Sequence, residues 1–324
     1  MITPIQSKAL WHISPTKTIL KDNPITQNNN INSVWIQSQY SLVSIGTEVL
    51  VANGNVPNTL QQSMQVPYME GHFEFPIKYG YSLVGKVISA HASLQNQSIH
   101  LLHPHQNQCW VNATDCSVIP NGIPLKRATL ASNMETALNA VWDAKVSIGD
   151  KTLVVGFGLI GSLVARLLTQ IAGVDCYIFD ICPSKQALAQ KLGFQIWNQK
   201  ITDFDVAFNT SSSSSGLQTC IDVVGFEGKI IELSWYGTKA IQINLGGSFH
   251  QQRKQIISSQ VSNLPMDRRG RWDYKRRKQT VFKLLQNPIF DQHITHTVSF
   301  EKLPNIFKQL KNKTLQPLGL CVKY

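Results

Sequence analysis

The chain has 324 residues, 43% of them hydrophobic, with 30 Lys and Arg against 19 Asp and Glu and six cysteines. These figures exclude disordered, collagen-like and disulfide-framework classes, and at roughly 100–200 residues per domain they predict a globular protein of about two domains. The formal net charge is +11, and residues 251–278 alone carry nine basic side chains against Asp267 and Asp273.

The cysteines, at 109, 116, 176, 182, 220 and 321, form no C-x-x-C pair and no framework spacing. That pattern predicts free thiols, no structural zinc and a reducing, cytoplasmic setting. The first residues lack a basic segment followed by an apolar one, and the most apolar stretch, Leu153 to Gly173, is interrupted by Arg166 and glycines. No membrane span is expected.

In chain order, residues 1–123 are rich in short β-type runs, Val34–Ile36, Tyr40–Val43, Val84–Ser89, His100–His103 and Cys109–Val111, broken by Asn, Pro and Gly. They predict an irregular β lobe, with loops at Gln27–Asn30 and Gly54–Pro57. From Ala128 the pattern changes to a helix over 128–141. Strand-like and helix-like segments then alternate: Thr152–Val155, Leu159–Ala172, Asp175–Phe179, Ser184–Leu192, Val206–Asn209, Ser215–Val224 and Lys229–Leu233. Alternation at this spacing predicts βαβ units, and so an α/β fold with a doubly wound parallel sheet covered on both faces, over residues 124–263. A further strand at Gln255–Val261, a basic loop and a helix from Trp272 to Gln286 follow. The closing helix Phe300–Lys311 and strand Leu318–Lys323 are assigned to the first lobe, which then comprises 1–123 and 264–324.

The strongest local signal is Gly156-Phe157-Gly158-Leu159-Ile160-Gly161, between the apolar strand and an amphipathic helix. In that context Gly156 permits a tight turn, Gly158 lets the backbone approach a pyrophosphate, Gly161 allows close helix–strand packing, and the helix N-terminus offers unpaired N–H groups. A bound dinucleotide fits these features. Nineteen residues beyond Gly161, Asp180 ends the run Cys176–Phe179, where a carboxylate accepts hydrogen bonds from ribose hydroxyls. It would repel a 2′-phosphate, and only Lys185 stands nearby to offset it, so NAD(H) is expected over NADP(H).

A β lobe, a mid-chain glycine-loop domain and a tail with Ile294-Thr295-His296, Phe300-Glu301-Lys302 and Phe307 together resemble the medium-chain dehydrogenase/reductase superfamily. The resemblance implies a Rossmann domain beside an irregular β-rich, GroES-like catalytic domain. Zinc-dependent members carry C-G-T and G-H-E patterns and a third ligand before the nucleotide domain. The matching segments are Ile45-Gly46-Thr47-Glu48, Gly80-Tyr81-Ser82 and Ala131-Ser132-Asn133, so the ligand positions fall on Ile45, Tyr81 and Ser132. None is an ordinary zinc ligand, and Cys109 and Cys116 do not supply the superfamily's four-cysteine lobe, so a zinc-free enzyme is expected. Closer similarity is to a zinc-free bacterial branch labelled alcohol dehydrogenase-like, on Lys78-Tyr79-Gly80-Tyr81, His103-Pro104-His105-Gln106, Asn133-Met134-Glu135-Thr136-Ala137, Glu232-Leu233-Ser234-Trp235-Tyr236-Gly237 and Leu245-Gly246-Gly247-Ser248-Phe249-His250. Ser44-Ile45-Gly46-Thr47-Glu48 is also similar to the bacteriochlorophyllide dehydrogenase group.

The resemblance implies hydride transfer between NAD(H) and an alcohol/carbonyl pair. It places Thr136 behind the nicotinamide ring and Ser234 and Trp235, with Tyr236 and Ser259-Gln260, at the carboxyl edge of the sheet. Without zinc, a hydride-reduced carbonyl needs a positioned donor at its oxygen. Tyr81, in place of the metal-binding histidine, is the first candidate, with Thr47 in the superfamily's proton-relay position. His105 and His250 follow as neutral proton carriers, and Glu48, Glu70 and Glu135 are expected to pair with basic residues. Arg268 and Arg271 are candidates to grip an acidic substrate through paired N–H donors. Competing readings are a quinone or enoyl reductase, a nucleotide-binding regulator without catalysis, and nucleic-acid binding by the basic stretch with Trp272 and Tyr274 interleaved. Superfamily habit implies a homodimer.

Overall fold

The computed structural model describes residues 5–26 and 30–324 and divides into two compact units, Met1–Ser132 with Lys278–Tyr324 and Asn133–Arg277. The crossings lie nine and fourteen residues beyond the expected 124 and 263, inside the helices Ala131–Ala144 and Tyr274–Leu285 rather than in loops. The tract expected as a loop at Gln27–Asn30 lies, Asn30 apart, outside the described residues. Among the described residues no helix is long and apolar enough to cross a membrane.

The second unit is entered by helix α1 (Ala131–Ala144) and holds six parallel strands: β1 (Lys151–Val155), β2 (Asp175–Phe179), β3 (Gln195–Ile196), β4 (Phe204–Asn209), β5 (Val224–Glu232) and β6 (Gln255–Ser258). Their order is β3-β2-β1-β4-β5-β6, with the reversal of winding between β1 and β4. Such a reversal opens a crevice at the carboxyl ends of the strands. The register aligns Phe179, Val155, Asn209 and Glu232 across four neighbouring strands, so these residues mark one edge. Leu153, Val154 and Val155 are all buried, as a strand covered on both faces requires.

Helix α2 (Leu159–Leu168) follows β1, α3 (Pro183–Lys191) follows β2 and α4 (Ser214–Val223) follows β4. The apolar pattern predicts α2 as far as Ala172; it stops four residues earlier because the side chains of Thr169 and Gln170 both bond back to the Arg166 carbonyl. Strand β6 is likewise shorter than expected, closing at Ser258.

The first unit carries one sheet in the order His296–Ser299, Leu320–Lys323, Ser33–Val43, Leu83–Val87, Ser98–Leu101, Ser117–Val118, with Gln108–Asn112 also paired to Ser33–Val43. A smaller four-stranded sheet contains Lys8–Ser14 and Lys17–Asp22. The C-terminal strand pairs antiparallel to Ser33–Val43, from Leu320 opposite Val43 to Lys323 opposite Tyr40. Two strands expected at 34–36 and 40–43 are one. The polar Gln37-Ser38-Gln39 is a register shift inside it, where Ser38 Oγ turns inward to donate to the Gln106 carbonyl at 2.5 Å. The expected helix at 300–311 begins with a 3₁₀ turn, then runs Leu303–Lys311 with Leu303, Ile306, Phe307 and Leu310 buried at helical spacing.

Candidate functional site

Val155 leads directly into Gly156, whose φ of +96° suits a residue without Cβ. A Cβ on Gly161 would stand 2.1 Å from the Gly156 carbonyl oxygen, so α2 packs onto the loop only because that Cβ is missing. A Cβ on Gly158 would meet nothing within 4 Å: this glycine faces open space at the N-cap of α2, where no side chain caps the first-turn N–H groups. One glycine serves packing and the other leaves room for a ligand's phosphates. Phe157 is fully buried, with its ring edge-on to Phe194 at 5.6 Å, and Leu159 is buried while Ile160 is half-buried, so these three line the loop through backbone rather than side chains.

Asp180 follows the end of β2 and is 8% exposed. Its Oδ2 accepts the Phe157 N–H at 2.7 Å and its Oδ1 the Cys182 N–H at 2.8 Å. The carboxylate thus fastens the glycine loop to β2 before any ligand is considered, and each oxygen keeps a lone pair for a ribose hydroxyl.

The end of β4 repeats this architecture in a form the sequence reading missed. The run Ser211-x-Ser213-x-x-Gly216 has the spacing of Gly156-x-Gly158-x-x-Gly161. Ser213 caps α4 by accepting the Gly216 N–H at 3.0 Å, and a Cβ on Gly216 would stand 2.0 Å from Ser211 Oγ. Beside it lies a second missed feature. Asn209, fully buried, donates from Nδ2 to Glu232 Oε2 at 2.7 Å and to the Tyr236 hydroxyl oxygen at 2.9 Å. The Tyr236 hydroxyl donates to the same Glu232 oxygen at 2.8 Å, and the Ser234 N–H donates to Oε1 at 2.7 Å. Burial, with Glu232 alongside, pushes the Tyr236 phenol well above its usual range. Ser234 Oγ also accepts the Ser212 N–H at 3.0 Å, joining the loops after β4 and β5.

The other expected site residues of this unit are placed as follows. Thr136 and Trp235 are half-buried, on α1 and in the loop after β5, and His250 is exposed in the short helix Ser248–Gln251. Ser259 donates its N–H to the Glu232 carbonyl at 2.9 Å and its hydroxyl to Asp143 at 2.6 Å. Arg268 is a stacking residue, its guanidinium 4.5 Å from the Trp142 ring and 5.7 Å from that of Trp272, with Arg276 on Trp272 at 4.1 Å. This ladder rests on the last turn of α1, six residues beyond Thr136. Arg271 is exposed, and Arg277 is buried in an ion pair with Glu135 at 3.3 Å.

In the first unit, Tyr81 and Thr47 come together. The Tyr81 hydroxyl donates to Ser44 Oγ at 2.5 Å and is hydrogen-bonded to Thr47. Burial pushes its pKa up to about 12 against the pull of those two hydroxyls, so the phenol keeps its proton at physiological pH. His105 is 1% exposed and does not face solvent: Nε2 lies 2.9 Å from Glu48 Oε2 and Nδ1 2.7 Å from Ser41 Oγ, which is 2.9 Å from the Tyr324 hydroxyl. Glu48 Oε1 accepts the Ser44 N–H at 2.7 Å, linking His105 to the residue that accepts the Tyr81 hydrogen bond. Glu48, Glu70 and Glu135 all pair with basic groups as expected, through His105, Lys78 and Arg277.

Ser132 Oγ donates to the Tyr81 carbonyl at 2.8 Å and lies 3.2 Å from His100 Nε2, while Ile45 is aliphatic. These positions do not fit zinc, and among the described residues no group of three or more His, Cys, Asp or Glu is placed to hold a metal.

No family model matches the chain. It is 26% identical over 215 residues to a D-guloside 3-dehydrogenase of Shigella flexneri, an alignment spanning 61% of each chain, so it covers about three fifths of that relative's length. Among solved structures, L-idonate 5-dehydrogenase from Escherichia coli superposes with a TM-score of 0.79 at 14% identity, over 99% of both chains. Acetophenone reductase from Geotrichum candidum, solved with NAD, gives 0.78 at 16% identity, covering 99% of this chain and 98% of that one. At these identities the structural likeness establishes the fold, which is that of the medium-chain dehydrogenases: a Rossmann sheet with a GroES-like β unit. The proteins it resembles are oxidoreductases of that type.

Proposed function

We propose that the protein is an oxidoreductase of the medium-chain type that moves hydride between NAD(H) and an alcohol/carbonyl pair without zinc at its reacting centre. The observation that carries this reading is the glycine loop at the winding reversal, with Gly158 open, Gly161 locked against Gly156 and Asp180 fastening the turn. When bound, the nicotinamide coenzyme supplies or accepts the hydride. Asp180 holds ribose hydroxyls and disfavours a 2′-phosphate. Tyr81 keeps a protonated phenol that donates to Ser44 Oγ at rest and, with its O–H turned toward the substrate, donates to a developing alkoxide, with Thr47 alongside. Ile45, Tyr81 and Ser132 in the metal positions support zinc independence, and the exposed Arg271 supports an anionic substrate.

Calorimetry of the purified protein tests the reading: NADH and NAD+ should bind, NADPH more weakly, and elemental analysis should find no stoichiometric zinc. Absence of heat with every coenzyme would remove the reading. With a carbonyl substrate found by screening NADH oxidation, Tyr81→Phe should lower turnover about 100-fold and leave NADH affinity unchanged. Unaltered turnover would take Tyr81 out of the reaction.

A further inference from the structure

We infer that Glu232 biases the coenzyme's redox preference toward the oxidised form through a fixed negative charge at the nicotinamide half of the sheet. The inference rests on the NAD(H) reading and adds a property that the glycine loop does not explain. A doubly wound sheet is two mononucleotide-binding halves. The half built on β1 and β2 contains the glycine loop and Asp180, which fit the adenosine diphosphate portion. The half built on β4, β5 and β6 therefore receives the nicotinamide portion, and Glu232 closes the paired run of β5 on that carboxyl edge, in register with Asn209.

The charge is held in place. The carboxylate accepts from Asn209 Nδ2 at the end of β4 and from the Tyr236 hydroxyl and the Ser234 N–H in the loop after β5, three donors that fix both of its oxygens. Asn209 is fully buried, so the bracket is rigid on the protein side, whereas Glu232 itself is only half-buried. Among the described residues Glu232 forms no ion pair with Lys or Arg, and Lys239, in the loop after β5, reaches the Ser212 carbonyl at 3.4 Å. The oxidised nicotinamide ring carries a positive charge and the reduced ring none, and the remainder of the coenzyme is identical. Any Coulomb interaction with Glu232 thus appears in the ratio of the two affinities, where the shared phosphates cancel.

The test is calorimetry of NAD+ and NADH on the whole protein and on Glu232→Gln, with Glu232→Asp and Glu227→Gln as controls. Glu227 pairs with Arg253 on the protein surface and has no part in the site. Glu232→Gln should shift the affinity ratio about fivefold toward NADH, the scale of one partly solvated unit charge. Glu232→Asp, which keeps the charge, and Glu227→Gln should hold the wild-type ratio. An unchanged ratio in Glu232→Gln overturns the inference while leaving the NAD(H) reading standing, and so does an equal shift in Glu232→Asp. Failure of the wild type to bind either coenzyme removes both. If Glu232→Gln does not fold, Tyr236→Phe decides: removing the hydroxyl that donates to the carboxylate leaves its charge less shielded, so preference for NAD+ must rise, and an unchanged or falling preference overturns the inference.

Discussion

The three glycines of one loop do different work, and single Cβ atoms separate them. On Gly161 the added carbon would stand 2.1 Å from the Gly156 carbonyl oxygen, a backbone atom that cannot swing away. Gly161→Ala should therefore destabilise the second unit by roughly 3 kcal/mol, at the upper end of overpacking costs. On Gly158 the same carbon meets nothing of the protein within 4 Å, and the residue has a φ of −88° that alanine adopts. Gly158→Ala should cost less than about 1 kcal/mol, the N-cap scale, yet weaken NADH binding by crowding the space left for phosphates. Urea melts and coenzyme titrations on the two variants give opposite patterns if the assignment holds; equal losses of stability would contradict it. The residue identities of this loop were readable in the sequence because glycine spacing reports backbone demands. The partners of Asp180, Arg268 and His105 were not, since a carboxylate, guanidinium or imidazole reads the same in sequence whether it holds a ligand, a ring or its own backbone.

Elements were legible where one period ran unbroken. The alternation from residue 152 to 233 gave the parallel sheet, but alternation does not fix which strand neighbours which, and the β3-β2-β1-β4-β5-β6 order came only with the structure. The serine loop after β4 escaped because serine does not advertise a tight approach as glycine does, although Gly216 at the sixth position carries the same signal as Gly161. Strand β6 ends the sheet with Ile256 37% exposed, an apolar edge of a kind that globular proteins seldom leave bare. We propose that a second copy covers this edge in a homodimer. Ile256→Lys should then convert dimer to monomer in sedimentation velocity with coenzyme affinity little changed, and a wild-type monomer at micromolar concentration would discard the edge as an interface.

Across the whole molecule the titratable imidazoles are unevenly shared. The first unit buries His12, His100, His103, His105 and His293, whereas the only histidine between Asn133 and Arg277 is the exposed His250. Burial, aided by Lys311, lowers His12 to about 3; burial, aided by Lys78 and opposed by the Pro104 carbonyl, lowers His103 to about 3; burial drives His100 well below its usual value. Each of these folded-state values lies below the 6.5 of an unfolded chain, so between pH 6.5 and about 3 the unfolded chain binds protons that the folded one refuses. Their stabilising contribution is complete above pH 6.5 and is lost as pH falls, by about 1.4 kcal/mol per pH unit for each imidazole. The loss falls on the first unit alone. Hydrogen exchange compared at pH 7 and pH 5, after correction for intrinsic rates, should show lost protection in Ser33–Val43 and Ser98–Leu101 while β1, β2 and β4 keep theirs. A uniform change in both units, or a first unit that gains protection in acid, would mean that these imidazoles do not govern the acid response.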